Sequence, residues 1–205
     1  EMLEKKVTRR TKALLLNFGG LSNGWMLKVR NHGAFELAQQ MGWAWAEAGA
    51  DYPEAQAALA KEPIEKWFAA TPLRRGLSPL ALAPDFEDYL LEELTHADYD
   101  EYWKGLGKNW REHYAETADI PMMHVGGWYD SYCGSTIENY VALSALKRSP
   151  MRLVMGPWVH GGNVRSAAGD VEFGPAAAIA DFAADVHVQW FDHHLKGKAT
   201  PVGAW

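Results

Sequence analysis

Two short apolar runs, Ile120 to Val125 and Met151 to Met155, each stop at glycine, and just past each stop stands a proton-handling residue, Asp130 or His160. The two stretches read IPMMHVGGWYD and MRLVMGPWVHG, with a helical run between them. Apolar runs of this length bounded by glycine read as buried strands. Loops at the C-terminal ends of neighbouring parallel strands share one edge of a sheet. The pair therefore points to an α/β fold that presents a candidate acid and a candidate base side by side.

A third strand is expected over Thr11 to Phe18 (TKALLLNF), followed by the loop GGLSNGWMLKVRNHG. Gly33 is expected to open a helix, AFELAQQMGWAWAEAG, that ends at Gly49 and Pro53. From there to about Glu116 the runs EAQAALAKE, PIEKWFAAT, FEDYLLEELT and DEYWKGLGKNWREHYAE read as short helices parted by Pro63, Pro72, Pro79 and Pro84. Residues 1–33 and 117–205 are thus expected to build the sheet, and residues 34–116 to form a helical insertion. Such an insertion, about 80 residues long, far exceeds the usual connection between strands and suits a cap.

Between the last two strands, Ser131 or Ser135 is expected to cap the helix TIENYVALSALK, with Glu138 in capping-box register to Ser135. The final helix, AAAIADFAADVHVQWFDHHLKG, is expected to end at Gly197 beside Lys196. Three strands are few for a parallel sheet covered on both faces, so more are expected, from outside these residues or from places the pattern hides.

A net charge of -6 and a pI near 5.7 exclude a nucleic-acid partner, the one basic run being KKVTRRTK at residues 5–12, expected to face solvent. No apolar run approaches the ~18 residues of a spanning helix, so no membrane is expected. Cys133 is the only cysteine, which rules out an intrachain disulfide and fits a reducing, cytoplasmic setting. His187, His193 and His194 share one helix without a second cluster to complete a ligand set, so neither metal nor cofactor is expected. Oligomeric state is open, and a homo-oligomer is compatible with the chain.

Asp130 follows a strand and precedes a helix N-terminus, where an anion is favoured. Its plainer reading is a loop residue that caps the helix. His160 stands in a loop framed by Gly and Pro, which suits a projecting side chain, and its plainer reading is a surface histidine. Trp128, Tyr129 and Trp158 flank the two and are expected to wall a substrate pocket. Trp43, Trp45, Trp67, Trp103 and Trp110 have core-like spacing in the helical segment. His124, inside a strand, is read as a satisfied core histidine.

Two other nucleophiles compete. Gly20-Leu21-Ser22-Asn23-Gly24 satisfies G-x-S-x-G and precedes Asp130 and His160, but a nucleophile elbow needs a strand directly before the serine and a sustained helix after it. Ser22 has neither, and the favoured reading is a glycine-rich loop facing the site. Cys133 lies three residues after Asp130, whose charge would raise the thiol pKa, so inert packing is favoured.

GGWYD, then GPWVHG about 30 residues later, then a helix ending FDHHLKG resembles the serine hydrolases of the cocaine esterase and X-prolyl dipeptidyl-peptidase (S15-like) type. The upstream TKALLLN and NHGAFEL extend the likeness to nearly the whole chain. The resemblance implies an α/β-hydrolase sheet, here partial, with an inserted helical cap. It makes Asp130 and His160 the acid and base of a Ser-His-Asp triad that cleaves ester or amide acyl bonds of small-molecule or peptide substrates through an acyl-enzyme. The family's serine sits in a GxSYxG elbow upstream of the TKALLLN-like strand, and no such elbow occurs in these 205 residues. The oxyanion tyrosine is expected further upstream and a jelly-roll domain after Trp205, so the remaining segments of a parent hydrolase would complete the site. Two alternatives stay open: a non-catalytic cap or interaction fragment, and a self-contained hydrolase using Ser22.

Overall fold

The computed structural model describes residues 11–204. Of the basic run at residues 5–12, positions 5–10 lie outside the described residues. In chain order the elements are β1 (Leu14–Asn17), β2 (Arg30–Asn31), β3 (Ala34–Phe35), α1 (Leu37–Asp51), α2 (Pro53–Leu59), α3 (Ile64–Phe68) and α4 (Pro84–Thr95). They continue with β4 (Met122–Gly127), α5 (Cys133–Leu146), β5 (Met151–Gly156), β6 (Ala167–Ala168), β7 (Val171–Glu172) and α6 (Gln189–Lys196). The chain divides into two compact units, Val29–Tyr102 and the two flanking segments taken together.

The flanking unit is an α/β body around a parallel sheet of order β1-β4-β5. Strand β4 is buried at every position, as the central strand of a sheet covered on both faces must be. Its side chains alternate between two cores. Met123 and Val125 pack with Phe18, Trp158, Phe182, Val186, Trp190 and Val202. Met122 packs with Trp110, Tyr114, Leu143 and Met151 on the other face. The indole N–H of Trp190 donates to the Leu14 carbonyl at 2.9 Å, which ties the last helix to β1. That helix is entered through a π-helical turn, Ala183–Val188, and closes on Gly197, whose φ of 66° is the left-handed C-cap that glycine adopts freely.

The unit Val29–Tyr102 is helical, with its own core of Met41, Ala44, Ala48, Ala55, Leu59, Leu80, Ala83 and Leu90. Met41, Ala44 and Ala48 stand at three- and four-residue spacing on one face of α1, and the two small alanines leave room for α2 to pack close. Pro84 at the first helical position and Asp85 and Glu87 in the first turn start α4. At its other end the buried Arg30 guanidinium donates to the carbonyls of Glu93 and Leu94 at 2.9 and 3.0 Å, a cation where the helix dipole is negative.

Several local expectations change. Ala34 and Phe35 do not begin the first long helix; they pair with Asn31 and Arg30 in a hairpin, and α1 starts at Leu37. This hairpin and β6–β7 went unseen because two residues per strand are too few to show alternation. The helix expected over residues 100–116 is only 3₁₀ turns at Glu101–Lys104 and Arg111–His113, with Gly105 and Gly107 between them. Trp103 and Trp110 are buried as expected, while Trp43 is 44% exposed.

Candidate active site

Gly127 of β4 lies level with Gly156 of β5, so the loops that leave the two strands start side by side. Their pairing continues past the strands: Trp128 N–H donates to Gly156 O at 2.9 Å and Tyr129 N–H to Trp158 O at 3.1 Å. A Cβ on Gly127 would collide with the backbone carbonyl of Trp158, and one on Gly156 with its indole, so both motif glycines make room for one residue. That close approach brings the two candidate side chains together.

His160 Nδ1 lies 2.9 Å from Asp130 Oδ1. The Asp130 side chain is 0% exposed and that of His160 61%, so the carboxylate sits behind the imidazole and the imidazole meets solvent. An ionised carboxylate can only accept, so opposite it Nδ1 is the donor, and in the neutral ring of that tautomer Nε2 keeps a lone pair. An exposed imidazole with a buried carboxylate fixed behind it is an arrangement able to accept and pass on a proton. Asp130 Oδ2 has no hydrogen-bond partner among the described residues.

Trp128 and Tyr129, just before Asp130 in the chain, are 57% and 55% exposed. Trp158 is different: it is 4% exposed, belongs to the sheet core, and donates its indole N–H to Ala177 O at 2.6 Å. The expected pocket-wall role of Trp158 is therefore corrected to one of packing. An open groove of about 700 Å³ begins at Val159, next to His160 in the chain, and runs along Arg165, Ala168 and Ala178.

Ser22 is fully buried, and its hydroxyl donates to Glu138 Oε2 at 3.0 Å, with Ser135 Oγ 3.2 Å away. Its hydroxyl is enclosed against α5, which weighs against a self-contained hydrolase based on Ser22. The same contacts displace the expected capping box: α5 has no side-chain cap, and Glu138 pairs with Arg111 at 2.7 Å. Cys133 is half-buried, and burial together with Asp130 pushes its thiol up, against any thiolate nucleophile. His124 is in the core as expected, but neither ring nitrogen has a partner among the described residues, and burial pushes the imidazole down to about 4. His187 packs on the Phe182 ring, His193 lies 3.0 Å from Lys198 O and His194 packs on the Trp190 ring, with the His193 and His194 rings 4.8 Å apart.

Two residues near His160 escaped the sequence reading, Phe18 and Tyr132, whose rings each lie 5.7 Å from the imidazole. The available signal for Phe18 was its place: it ends the TKALLLNF run just before Gly19-Gly20, at the same sheet edge as the other two loops.

Comparison with known proteins gives the family. The sequence profile of the X-Pro dipeptidyl-peptidase (S15 family) matches residues 2–162, a span that includes Asp130 and His160. The cocaine esterase of Rhodococcus sp. (strain MB1 Bresler) is 33% identical over 106 residues, which is 51% of this chain and 17% of the esterase. The crystal structure of an aminopeptidase from the marine sediment archaeon Thaumarchaeota archaeon superposes with a TM-score of 0.58 at 19% identity, over 92% of this chain and 31% of the aminopeptidase. The chain thus spans less than a third of either protein's length. The profile match, over well more than half of the residues, places this chain in the X-Pro dipeptidyl-peptidase (S15) family.

Proposed function

We propose that this chain carries the acid and base of a serine hydrolase that cleaves ester or amide acyl bonds. The observation that supports this reading most is the 2.9 Å contact between a buried Asp130 and an exposed His160. The nucleophilic serine is assigned to sequence outside these 205 residues, since Ser22 is enclosed against α5.

In the reaction, His160 Nε2 takes the proton of the serine hydroxyl as its oxygen bonds to the acyl carbon. The charge that develops on the imidazole is held by Asp130 through Nδ1. The C–O or C–N bond to the leaving group then breaks, and His160 returns the proton to that group, leaving an acyl-enzyme. Water, deprotonated by the same nitrogen, releases the acid and restores the serine. Trp128 and Tyr129 are assigned to contact the substrate. The cap role falls on the helical unit Val29–Tyr102, inserted between two strands of one sheet.

The test is fluorophosphonate labelling of the protein as its gene encodes it. Wild type is expected to label and His160→Ala to lose labelling. Labelling of His160→Ala at the wild-type rate would remove His160 from the mechanism.

A further inference from the structure

A single hydrogen bond to Asp130 leaves an imidazole free to swing about the Nδ1–Oδ1 line. His160 is largely exposed, and the turn that carries it, closed by Gly162 N–H to Val159 O at 2.9 Å, fixes its backbone but not the plane of its ring. The ring plane must be set by what lies against it. The Phe18 ring meets the imidazole at 5.7 Å and 67°, edge to face, and the Tyr132 ring lies at 5.7 Å and 30°. Phe18 is itself held edge-on by Trp158 at 6.4 Å.

Phe18 has a φ of 51°, in the left-handed region that disfavours a side chain with a Cβ. Glycines stand at the next two positions, and Gly20 has a φ of 86°. The turn by itself asks for a glycine; the buried sheet core asks for a large apolar side chain, and the contacts with Trp158 and His160 are made by an aromatic one. At the far end of the same loop Lys28, also left-handed at 83°, places its ammonium 5.1 Å from the Tyr132 ring centre. Both ends of the loop thus bear on the rings that flank His160.

The loop between them is tied down along its length. Asn139 donates to Gly20 O at 2.8 Å, Trp110 N–H to Leu21 O at 3.0 Å, Arg111 N–H to Ser22 O at 2.8 Å and Gly24 N–H to Lys108 O at 2.7 Å, while Ser22 donates to Glu138. The G-x-S-x-G segment that imitates a nucleophile elbow is in this structure an anchor.

We infer that Phe18 is a positioning residue for His160: its ring, with that of Tyr132, fixes the imidazole plane so that Nδ1 stays on Asp130 and Nε2 keeps one direction. The catalytic meaning of that positioning rests on the function proposed above; the positioning itself does not. The test is long-range ¹H–¹⁵N NMR of ¹⁵N-histidine-labelled protein. Wild type is expected to show His160 as one tautomer with a protected Nδ1 proton. Phe18→Leu keeps apolar volume and removes the ring, and is expected to give mixed tautomers and a broadened Nδ1 proton. In the same variant kcat for ester cleavage is expected to fall on the order of 10- to 100-fold at unchanged KM. A folded Phe18→Leu protein with the wild-type His160 spectrum overturns the inference. If that variant does not fold, Tyr132→Leu, at a half-buried position, makes the same test: a broadened Nδ1 proton supports the inference and an unchanged spectrum overturns it. Persistent fluorophosphonate labelling of His160→Ala would refute the proposed reaction, while the spectra would still decide the positioning.

Discussion

At the scale of single residues, burial separates the eight histidines into different chemistries. His160 keeps an open nitrogen and a carboxylate behind it. His124, one strand position from the core residue Val125, has no hydrogen-bond partner for either nitrogen among the described residues, and burial holds it well below its ordinary value of 6.5. The sign of the consequence follows from proton counting. Between about pH 6.5 and about pH 4 the unfolded chain binds a proton at His124 that the folded chain refuses, so stability falls as pH falls through that window. The displacement corresponds to about 3 kcal/mol over the window. His124→Leu, which keeps volume and removes both unpaired nitrogens, is expected to lose less stability than wild type between pH 7 and pH 4.5, as measured by urea unfolding midpoints. Equal losses would mean that His124 does not drive the acid sensitivity.

At the scale of elements, the two parallel strands act as rails that end together, and Trp158 is the wedge that holds their exits at one spacing. Its backbone fills the space above Gly127 and its indole the space above Gly156. Gly127→Ala or Gly156→Ala must therefore push Trp158 out of the sheet core, and each is expected to cost about 1–3 kcal/mol or more, the range for overpacking. Thermal unfolding would show the loss, and the Asp130–His160 contact would loosen with it. The strands were legible in the sequence because apolar runs stop at glycine, and Asp130 and His160 because they follow those stops. Trp158 was misread because its place beside His160 in the chain says nothing of which way its indole turns. Ser135 and Glu138 looked like a capping box because the pattern is local, whereas Ser22 and Arg111, the partners that claim them, lie far back in the chain. The run at residues 100–116 has helical spacing, but its two inner glycines favour turns.

At the scale of the whole molecule, the helical unit and the sheet unit each have a core of their own, and the chain crosses from one to the other at Lys28–Val29 and again at Tyr102–Trp103. The parallel sheet was readable from sequence, and so was the helical character of the unit Val29–Tyr102. Its end was less so, because the aromatic residues Trp103 and Trp110 share composition with the insertion while packing in the sheet unit. No helix among the described residues is long and apolar enough to cross a membrane. The proposed reaction has this chain supply an acid and a base to a nucleophile carried elsewhere in the protein. Mass spectrometry of the fluorophosphonate-labelled protein tests it most directly. The adduct is expected on a serine outside these 205 residues, and to vanish with His160→Ala. An adduct on Ser22, or on any other serine of this chain, would contradict the account.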